Sequence, residues 1–157
     1  MIFSDRLELS KELLKIRKKG KTIVFTNGVF DIIHSGHVEY LGAAKELGDI
    51  LVIGVNTDES VRELKGPERP INNLEERLFV LDAIKPVDFV ISFSELTPIE
   101  LIKVLKPDIH VKGGDYKEED LPEAKVVKEY GGNVKIIPFK NGFSVTGLIK
   151  KIKTASK

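Results

Sequence analysis

Two histidines, His34 and His37, are the side chains of this 157-residue chain whose spacing is best suited to chemistry. They follow the segment 26–33, which contains Gly28, and they flank Gly36. Residues three apart share one face of a helix, and the unpaired N–H groups at a helix start favour an anion. Gly28 allows a sharp turn, and Gly36 has no side chain to keep a ligand away. The segment therefore predicts a phosphate cradle in which two imidazoles flank one phosphate.

Other roles are open to the same histidines. His34, His37 and His110 could together hold a zinc ion, since imidazole is a common zinc ligand. However, His110 lies in an apolar run typical of a strand, where packing or a local hydrogen bond is the more frequent role, so we predict no metal bound by side chains. Two histidines near a helix start without any function are the remaining alternative. We expect Asp31 to brace the loop through hydrogen bonds to backbone rather than to act as a base.

Positive charge is concentrated in the segment 62–77 and recurs at Lys112. We expect Arg62 to lie on a solvated helix face, whereas Lys65 and Arg69 have the composition of a loop that contacts polyphosphate. Arg77 interrupts an apolar helical pattern and is expected to point toward a specific partner. The candidates for contact with phosphate and substrate are Asp58, Lys65, Arg69, Arg77 and Lys112.

Two further loops carry polar residues beside glycines. The segment 111–116, VKGGDY, permits a tight turn that leaves Lys112, Asp115 and Tyr116 facing a cleft, and a plain turn is the alternative. The segment 141–146, NGFSVT, precedes a helix whose capping alone could explain Ser144. The functional interpretation adds nucleotide contacts through exposed amides and hydroxyls, from Asn141, Gly142, Phe143, Ser144 and Thr146.

Apolar runs that alternate with helical patterns must position these loops. The runs predict strands over 22–25, 51–55, 89–91, 109–111 and 134–137, and the patterns predict helices over 10–18, 38–47, 74–84, 98–105, 124–130 and 146–152. Such alternation is typical of βαβ units, so we predict an α/β fold: a Rossmann-like, doubly wound, parallel five-stranded sheet with helices on both faces. Ligands of open α/β sheets bind beyond the carboxyl ends of the strands, which is where these loops lie.

Composition limits the class of protein further. The chain carries 25 Lys and Arg against 24 Asp and Glu, a net charge of +1, and 41% hydrophobic residues. This balance favours a single domain, residues 1–157 with a core over 22–153, and argues against nucleic-acid binding. No apolar run is long enough to span a membrane and residues 1–20 are too charged for a secretory signal, so we expect a soluble cytoplasmic protein. The absence of cysteine excludes disulfides and thiolate chemistry.

Residues 28–37, GVFDIIHSGH, resemble the GxFDxxHxGH signature of the cytidylyltransferase-like nucleotidyltransferases. Longer segments are similar to the heptose 1-phosphate adenylyltransferases, which in bifunctional enzymes are joined to a heptose 7-phosphate kinase: TNGVFDIIHSGH, VNTDES, LKGPERPINNLEERL, VKGGDY and GFSVTGLIKKI. Two positions depart from these families. Lys140 only partly replaces the arginine of the RTEGIST segment of related cytidylyltransferases. Val145 stands where the heptose enzymes usually have a threonine, which removes a hydroxyl.

The resemblance implies transfer of AMP from ATP to D-glycero-β-D-manno-heptose 1-phosphate, with release of pyrophosphate and with Mg²⁺ bound through the nucleotide phosphates. It implies that His34 and His37 contact the triphosphate and that Lys65 neutralises the leaving group. Nucleotide contacts fall on Asn27, Gly28, Val29, Phe30, Gly36, Asp115, Asn141, Gly142, Phe143, Ser144 and Thr146, and substrate contacts on Asp58, Arg69, Arg77 and Lys112. The resemblance also implies a homodimer and a separate heptose kinase that supplies the substrate for lipopolysaccharide or surface-glycan precursors.

Two rival functions stay open. A CTP-dependent glycerol-3-phosphate cytidylyltransferase or an FAD synthetase of the same superfamily would share the fold and the histidines, and nucleotide preference separates them. A non-catalytic nucleotide-binding module would bind ATP without releasing pyrophosphate.

Overall fold

Six parallel strands form one sheet in the described part of the chain, residues 1–138 and 144–156 of a computed structural model. The strands are β1 (Ile2–Phe3), β2 (Ile23–Gly28), β3 (Ile50–Asn56), β4 (Phe89–Phe93), β5 (Ile109–Gly113) and β6 (Asn133–Ile137), and their order in the sheet is β1-β4-β3-β2-β5-β6. The predicted fold class is confirmed, with one strand more than predicted. The sequence did not indicate β1, because two residues that pair with Val90 and Ile91 are too few to form a periodic pattern.

Seven α-helices and one 3₁₀ turn accompany these strands within the described ranges, and the last helix follows the last strand. They are α1 (Arg6–Arg17), α2 (Ser35–Lys45), α3 (Asp58–Lys65), α4 (Leu74–Asp82), α5 (Ile99–Leu105), α6 (Pro122–Glu129) and α7 (Val145–Ala155), with the 3₁₀ turn at Glu118–Asp120. α1 begins earlier than predicted because the Asp5 carboxylate accepts hydrogen bonds from the N–H groups of Leu7 and Glu8 and so caps the helix. Lys65, expected in a loop, is instead the last residue of α3.

Helices cover both faces of the sheet, as predicted. On one face, α1, α5 and α6 pack against Ile23, Phe25 and Val52. On the other face, α2 and α4 pack against Val24 and Leu51. Successive residues of β2 therefore alternate between the two halves of the core, as the pleat of a strand requires. None of the described helices is both long enough and apolar enough to cross a membrane.

The order of the strands reverses at β2, the central strand. From β2 the chain runs through β3 to β4 on one side, and then continues with β5 and β6 on the other side. Phe25 of β2 is consequently paired with Val52 of β3 and with His110 of β5. The carboxyl ends of the strands beside such a reversal form a crevice in which ligands bind. The loops after β2 and β5 flank this crevice.

Three aspartates close the opposite, amino-terminal edge of the sheet. Asp49, Asp88 and Asp108 directly precede β3, β4 and β5. Each carboxylate accepts a hydrogen bond from a backbone N–H at the start of a neighbouring strand, those of Thr22, Leu51 and Ile23, at 2.9, 2.7 and 2.7 Å. Each also lies beside a cation, which is Lys21, Lys45 or Arg17 respectively. At the amino-terminal edge, these backbone N–H groups and the charges of the three aspartates are thus paired within the chain.

Candidate active site

The two histidines of the motif lie at the first turn of α2. His34 is the N-cap residue, and its backbone N–H donates a hydrogen bond to Nδ1 of His37 at 3.3 Å. The two imidazole rings stack, with centroids 3.9 Å apart and planes inclined at 28°. Because Nδ1 of His37 accepts this hydrogen bond, the proton of the neutral ring lies on Nε2, from which it can be donated to a ligand.

Both imidazoles are uncharged at neutral pH. Burial, and to a smaller degree the neighbouring His34, lower the pKa of His37 to about 4. Burial also lowers the pKa of His34. Two neutral rings can stack closely, whereas two imidazolium ions would repel each other. The pair therefore offers an anion hydrogen-bond donors rather than fixed charges.

The loop after β2 places Phe30 against His37. Phe30 has a left-handed backbone angle φ of +49°, and its ring centroid lies 5.5 Å from that of His37. The same ring packs against Gly28, where an added Cβ atom would lie only 3.0 Å from Cε2 of Phe30. A side chain at Gly28 would therefore require the Phe30 ring to shift by a few tenths of an ångström.

Asp31 ties this loop to the segment 69–72. Its carboxylate accepts hydrogen bonds from Nε of Arg69 at 2.8 Å and from the N–H groups of Ile71 and Asn72, each at 2.9 Å. Burial alone would raise the pKa of Asp31, but the N–H groups of Asn72 and Ile71 and the guanidinium of Arg69 lower it below its usual value. Asp31 is thus a charged brace, as predicted, and it fixes the position of Arg69.

Arg77, predicted to contact substrate, has its side chain inside the protein, and the prediction is corrected on this point. The guanidinium is fully buried and donates to the carbonyl oxygens of Val29 and Asn72, at 2.7 and 3.1 Å, and to Oδ1 of Asp58, at 2.6 Å. These bonds connect the loop after β2 with the starts of α3 and α4. Arg77 therefore positions loops. Asp58 is its ion-pair partner, and a contact of Asp58 with substrate stays a prediction.

Three cations line a cavity of about 180 Å³ at the carboxyl ends of β2 and β5. Lys65 comes from the end of α3, Arg69 is held by Asp31, and Lys112 belongs to β5. His37 lies in the same wall. An anion in this cavity would meet three cations and the donor of His37, although Asp31, which pairs with Arg69, lines the same cavity. The surplus of positive charge suits a phosphate or a polyphosphate.

A second cavity, of about 350 Å³, adjoins the first and shares His37, Tyr40 and Val145 with it. It lies between the start of α2 and the start of α7, and its other lining residues are His34, Gly36, Glu39, Ala43, Ile137, Pro138 and Ser144. Apolar walls with a few polar groups are typical of sites for small organic ligands. The size and position suit a nucleoside whose phosphates reach the cationic cavity.

The predicted nucleotide contacts fall into three groups. The residues that line the two cavities are Asn27, Gly28, Val29, Phe30, Gly36 and Ser144. Asp115 and Thr146 are exposed and do not contribute to the described walls of either cavity. Asn141, Gly142 and Phe143, as well as Lys140, lie outside the described residues. The Oγ atom of Ser144 accepts a hydrogen bond from the N–H of Gly147 at 2.9 Å, so Ser144 caps α7.

Tyr40, which the sequence analysis did not select, lines both cavities. Its hydroxyl lies 2.7 Å from Oγ1 of Thr26 in β2 and donates to the carbonyl oxygen of Val111 in β5 at 3.3 Å. Burial raises the pKa of Tyr40 to about 12, although the hydrogen bond with Thr26 acts in the opposite direction. Tyr40 therefore joins α2 to both strands of the crevice. Its spacing of three residues from His37 could have indicated that the two share a helix face.

His110 does not join the other two histidines. It is fully buried in β5, its ring stacks on that of Phe25 with centroids 5.7 Å apart, and its Nε2 lies 3.6 Å from Oε1 of Glu123. Within residues 1–138 and 144–156, there is no group of three or more His, Cys, Asp or Glu side chains that could hold a metal ion. The three-histidine zinc site is therefore not formed by these residues, and local packing, the predicted alternative for His110, is what the structure shows.

A crevice at the reversal of strand order, with a helix N-terminus and a cationic cavity beside it, is typical of α/β nucleotide-binding proteins. Residues 25–154 match the family model described as cytidylyltransferase-like. The chain belongs to the cytidylyltransferase-like family, and it is a nucleotidyltransferase.

Individual relatives are consistent with this family. The chain is 49% identical over 150 residues to the protein called bifunctional protein HldE in Salmonella arizonae and to that in Salmonella newport, an alignment that covers 96% of this chain. The chain spans about a third of the length of these relatives, 31%. A solved structure, the lipopolysaccharide core biosynthesis protein from Thermoplasma volcanium, superimposes with a TM-score of 0.63 at 34% identity, covering 79% of this chain and 100% of that one.

Proposed function

We propose that this nucleotidyltransferase is an adenylyltransferase that transfers AMP from ATP to D-glycero-β-D-manno-heptose 1-phosphate, giving ADP-heptose and pyrophosphate. The observation that carries the proposal is the stacked, uncharged pair His34 and His37 beside a cavity lined by Lys65, Arg69 and Lys112. The likeness to a lipopolysaccharide core biosynthesis protein supports a sugar nucleotide as product. The motifs similar to those of heptose 1-phosphate adenylyltransferases support the heptose.

In the proposed reaction, a phosphate oxygen of the sugar attacks the α-phosphorus of ATP. The new P–O bond forms as the bond between the α-phosphorus and the oxygen that bridges to the β-phosphorus breaks, and pyrophosphate leaves with that oxygen and its electron pair. No general base is needed, because a phosphate monoester has a second pKa of about 6 and is largely dianionic at neutral pH. The barrier is then set by charge and geometry.

The chain's own groups stabilise the charge that moves toward the leaving pyrophosphate. The N–H groups of the first turn of α2 and the imidazoles of His34 and His37 donate hydrogen bonds to the triphosphate. Lys65, Arg69 and Lys112 line the same cavity and offset the charge of the phosphates, with Lys112 in contact with the sugar phosphate and with the pyrophosphate product. The adenosine lies in the larger cavity between α2 and α7.

Mg²⁺ enters with the nucleotide in this proposal. The carboxylates nearest the cleft are already engaged, since Asp31 pairs with Arg69 and Asp58 with Arg77. A metal bound through phosphate oxygens, which Mg²⁺ prefers as ligands, is compatible with such a donor set. The ion would add positive charge to the triphosphate without a dedicated protein cage.

We also propose that two copies of the chain form a homodimer. Ile71, Phe79 and Val80 are large apolar residues with exposed side chains, and exposed apolar patches are typical of contact surfaces. Sedimentation velocity at micromolar concentration should give a dimer, and a monomer would contradict this. In the same proposal, a separate heptose kinase supplies the sugar phosphate, and the enzyme works in the cytoplasm, where ATP is available.

The substrate is tested by measuring pyrophosphate release with Mg²⁺ while ATP and CTP are crossed against D-glycero-β-D-manno-heptose 1-phosphate and glycerol 3-phosphate. We expect turnover only with ATP and the heptose. Turnover with CTP and glycerol phosphate would keep the reaction class and contradict the substrate. ATP binding with no pyrophosphate release from any combination would contradict the proposed reaction.

A further inference from the structure

Lys112 reaches the cationic cavity from the carboxyl end of β5, but its charge also has a partner behind the cavity. The Nζ atom lies 3.5 Å from Oε1 of Glu123 and 5.5 Å from the centroid of the Tyr116 ring. The side chain of Lys112 is 25% exposed, whereas that of Glu123 is only 4% exposed. The lysine is therefore at the border between the protein interior and the cleft, and the carboxylate is inside.

Glu123 carries its negative charge in this buried position. Burial would raise the pKa of Glu123, but the nearby His110 ring, whose Nε2 lies 3.6 Å from Oε1, its own backbone N–H and the charge on Lys112 together bring it to about 2. Glu123 is also the second residue of α6, where the helix dipole favours a negative charge. Of these partners, only Lys112 is a cation that can reach the cleft.

We propose that Glu123 is a positioning residue that holds the ammonium of Lys112 at the wall of the cleft and competes with an incoming phosphate group for it. The lysine has a long, flexible side chain that can turn toward a phosphate, whereas Glu123 is fixed in α6 and cannot follow. When Lys112 turns toward a phosphate, the buried negative charge of Glu123 therefore loses part of its compensation. Glu123 consequently weakens the binding of phosphate groups in the cleft, including that of the pyrophosphate product.

This inference deepens the proposed function by assigning a control of phosphate affinity to Glu123, and it rests on that function only for the identity of the phosphates. Glu123 directly precedes the helix predicted over 124–130, and the sequence analysis did not select it. A purely structural carboxylate would instead stabilise α6 and β5 with no effect on ligand affinity. A double-mutant cycle distinguishes the two roles, because it measures whether the effect of Glu123 on ligand affinity depends on Lys112.

The test is calorimetric titration of inorganic pyrophosphate into the full chain, in Mg²⁺ at fixed ionic strength, for the wild type, Glu123→Gln, Lys112→Met and the double variant. We expect Glu123→Gln to bind pyrophosphate about threefold to tenfold more tightly, because the competing charge is removed. Lys112→Met should bind it about tenfold more weakly, and adding Glu123→Gln to Lys112→Met should change nothing further. Glu129→Gln, an exposed position on the same helix, is the matched control and should bind like the wild type.

Unchanged or weaker binding by Glu123→Gln, or an equal gain in the Lys112→Met background, would overturn the proposal. If Glu123→Gln does not fold, Glu123→Asp keeps the charge but shortens the reach to Lys112. We expect it to bind pyrophosphate more tightly than the wild type, by less than the gain expected for Glu123→Gln, and wild-type affinity with Glu123→Asp would contradict the proposal. A wild type that binds no pyrophosphate would also overturn it. Because the titration uses no sugar phosphate, failure of the heptose assignment alone leaves its outcome unaffected.

Discussion

The two edges of the sheet use charged residues in opposite ways. At the amino-terminal edge, three aspartates accept hydrogen bonds from neighbouring strands and each lies beside a cation of the same chain. At the carboxyl edge, Lys65, Arg69 and Lys112 line a cavity, and the His34–His37 pair adds uncharged donors. At both ends of its strands, a parallel sheet has backbone groups that no neighbouring strand pairs. The chain closes the amino-terminal edge with its own side chains, whereas the carboxyl edge combines braces such as Asp31 and Arg77 with a cavity that can receive a ligand.

The largest expected effect is that of His37→Ala at the carboxyl edge. Removing a donor that acts on the transition state should lower kcat about 100-fold or more, while the fold survives because the ring lies at a helix start beside the cleft. The measurement is pyrophosphate release together with a thermal melting curve. Val38→Ala, its exposed neighbour on α2, is the control and should keep the wild-type rate. A kcat for His37→Ala within about threefold of the wild type would refute the role of the imidazole.

Asp31, also at the carboxyl edge, is a buried brace that holds a residue of the active cleft. Asp31→Asn leaves Arg69 without its carboxylate and weakens the bonds to the N–H groups of Ile71 and Asn72. We expect a loss of about 2–3 kcal/mol in the free energy of unfolding and a decrease of about 10-fold in kcat/KM. Urea denaturation and steady-state kinetics measure the two effects. Glu68→Gln, at an exposed site beside Arg69, should change neither, and a stable but inactive Asp31→Asn would show that bracing is not its role.

The amino-terminal edge should show the reverse behaviour. Asp88→Ala leaves the N–H of Leu51 without its acceptor and Lys45 without its ion-pair partner. We expect a loss of about 1–3 kcal/mol in the free energy of unfolding, with kcat within about twofold of the wild type. Melting curves and turnover are measured for Asp88→Ala and for the control Glu129→Ala, whose side chain is exposed. A large loss of activity at unchanged stability would contradict the separation of the two edges.

The smallest expected effect is in the pH dependence of stability. Because the pKa of His37 is lowered from 6.5 to about 4, the unfolded chain gains a proton at this residue between those values and the folded chain does not. The free energy of unfolding therefore decreases as the pH falls from 6.5 toward 4, and this contribution is absent above 6.5. Urea denaturation at pH 7 and pH 5 should show a larger decrease for the wild type than for His37→Asn. An equal decrease in both would show that His37 has an ordinary pKa.

The sequence predicts the fold and the centre of the site for different reasons. Buried parallel strands and amphipathic helices leave periodic patterns over many residues, so the fold class, both helical layers and the position of the cleft follow from local sequence. The motif around His34 and His37 is equally local. The role of Arg77 is not, because a single charge in an apolar helix can point either into a cleft or toward carbonyl oxygens, and the partners Val29 and Asp58 are distant in sequence. The sequence analysis did not select Tyr40 for a similar reason, because its hydrogen-bond partners lie on two separate strands.

The role of the uncharged histidine pair is tested most directly by nitrogen NMR of the imidazole side chains. At pH 7 the free enzyme should show His37 as a neutral ring with its proton on Nε2, because burial lowers its pKa to about 4 and Nδ1 accepts the N–H of His34. A non-hydrolysable ATP analogue with Mg²⁺ should shift the Nε2 resonance, since that nitrogen donates to the triphosphate. An imidazolium at pH 7 in the free enzyme, a proton on Nδ1, or signals that do not respond to the nucleotide would contradict this role.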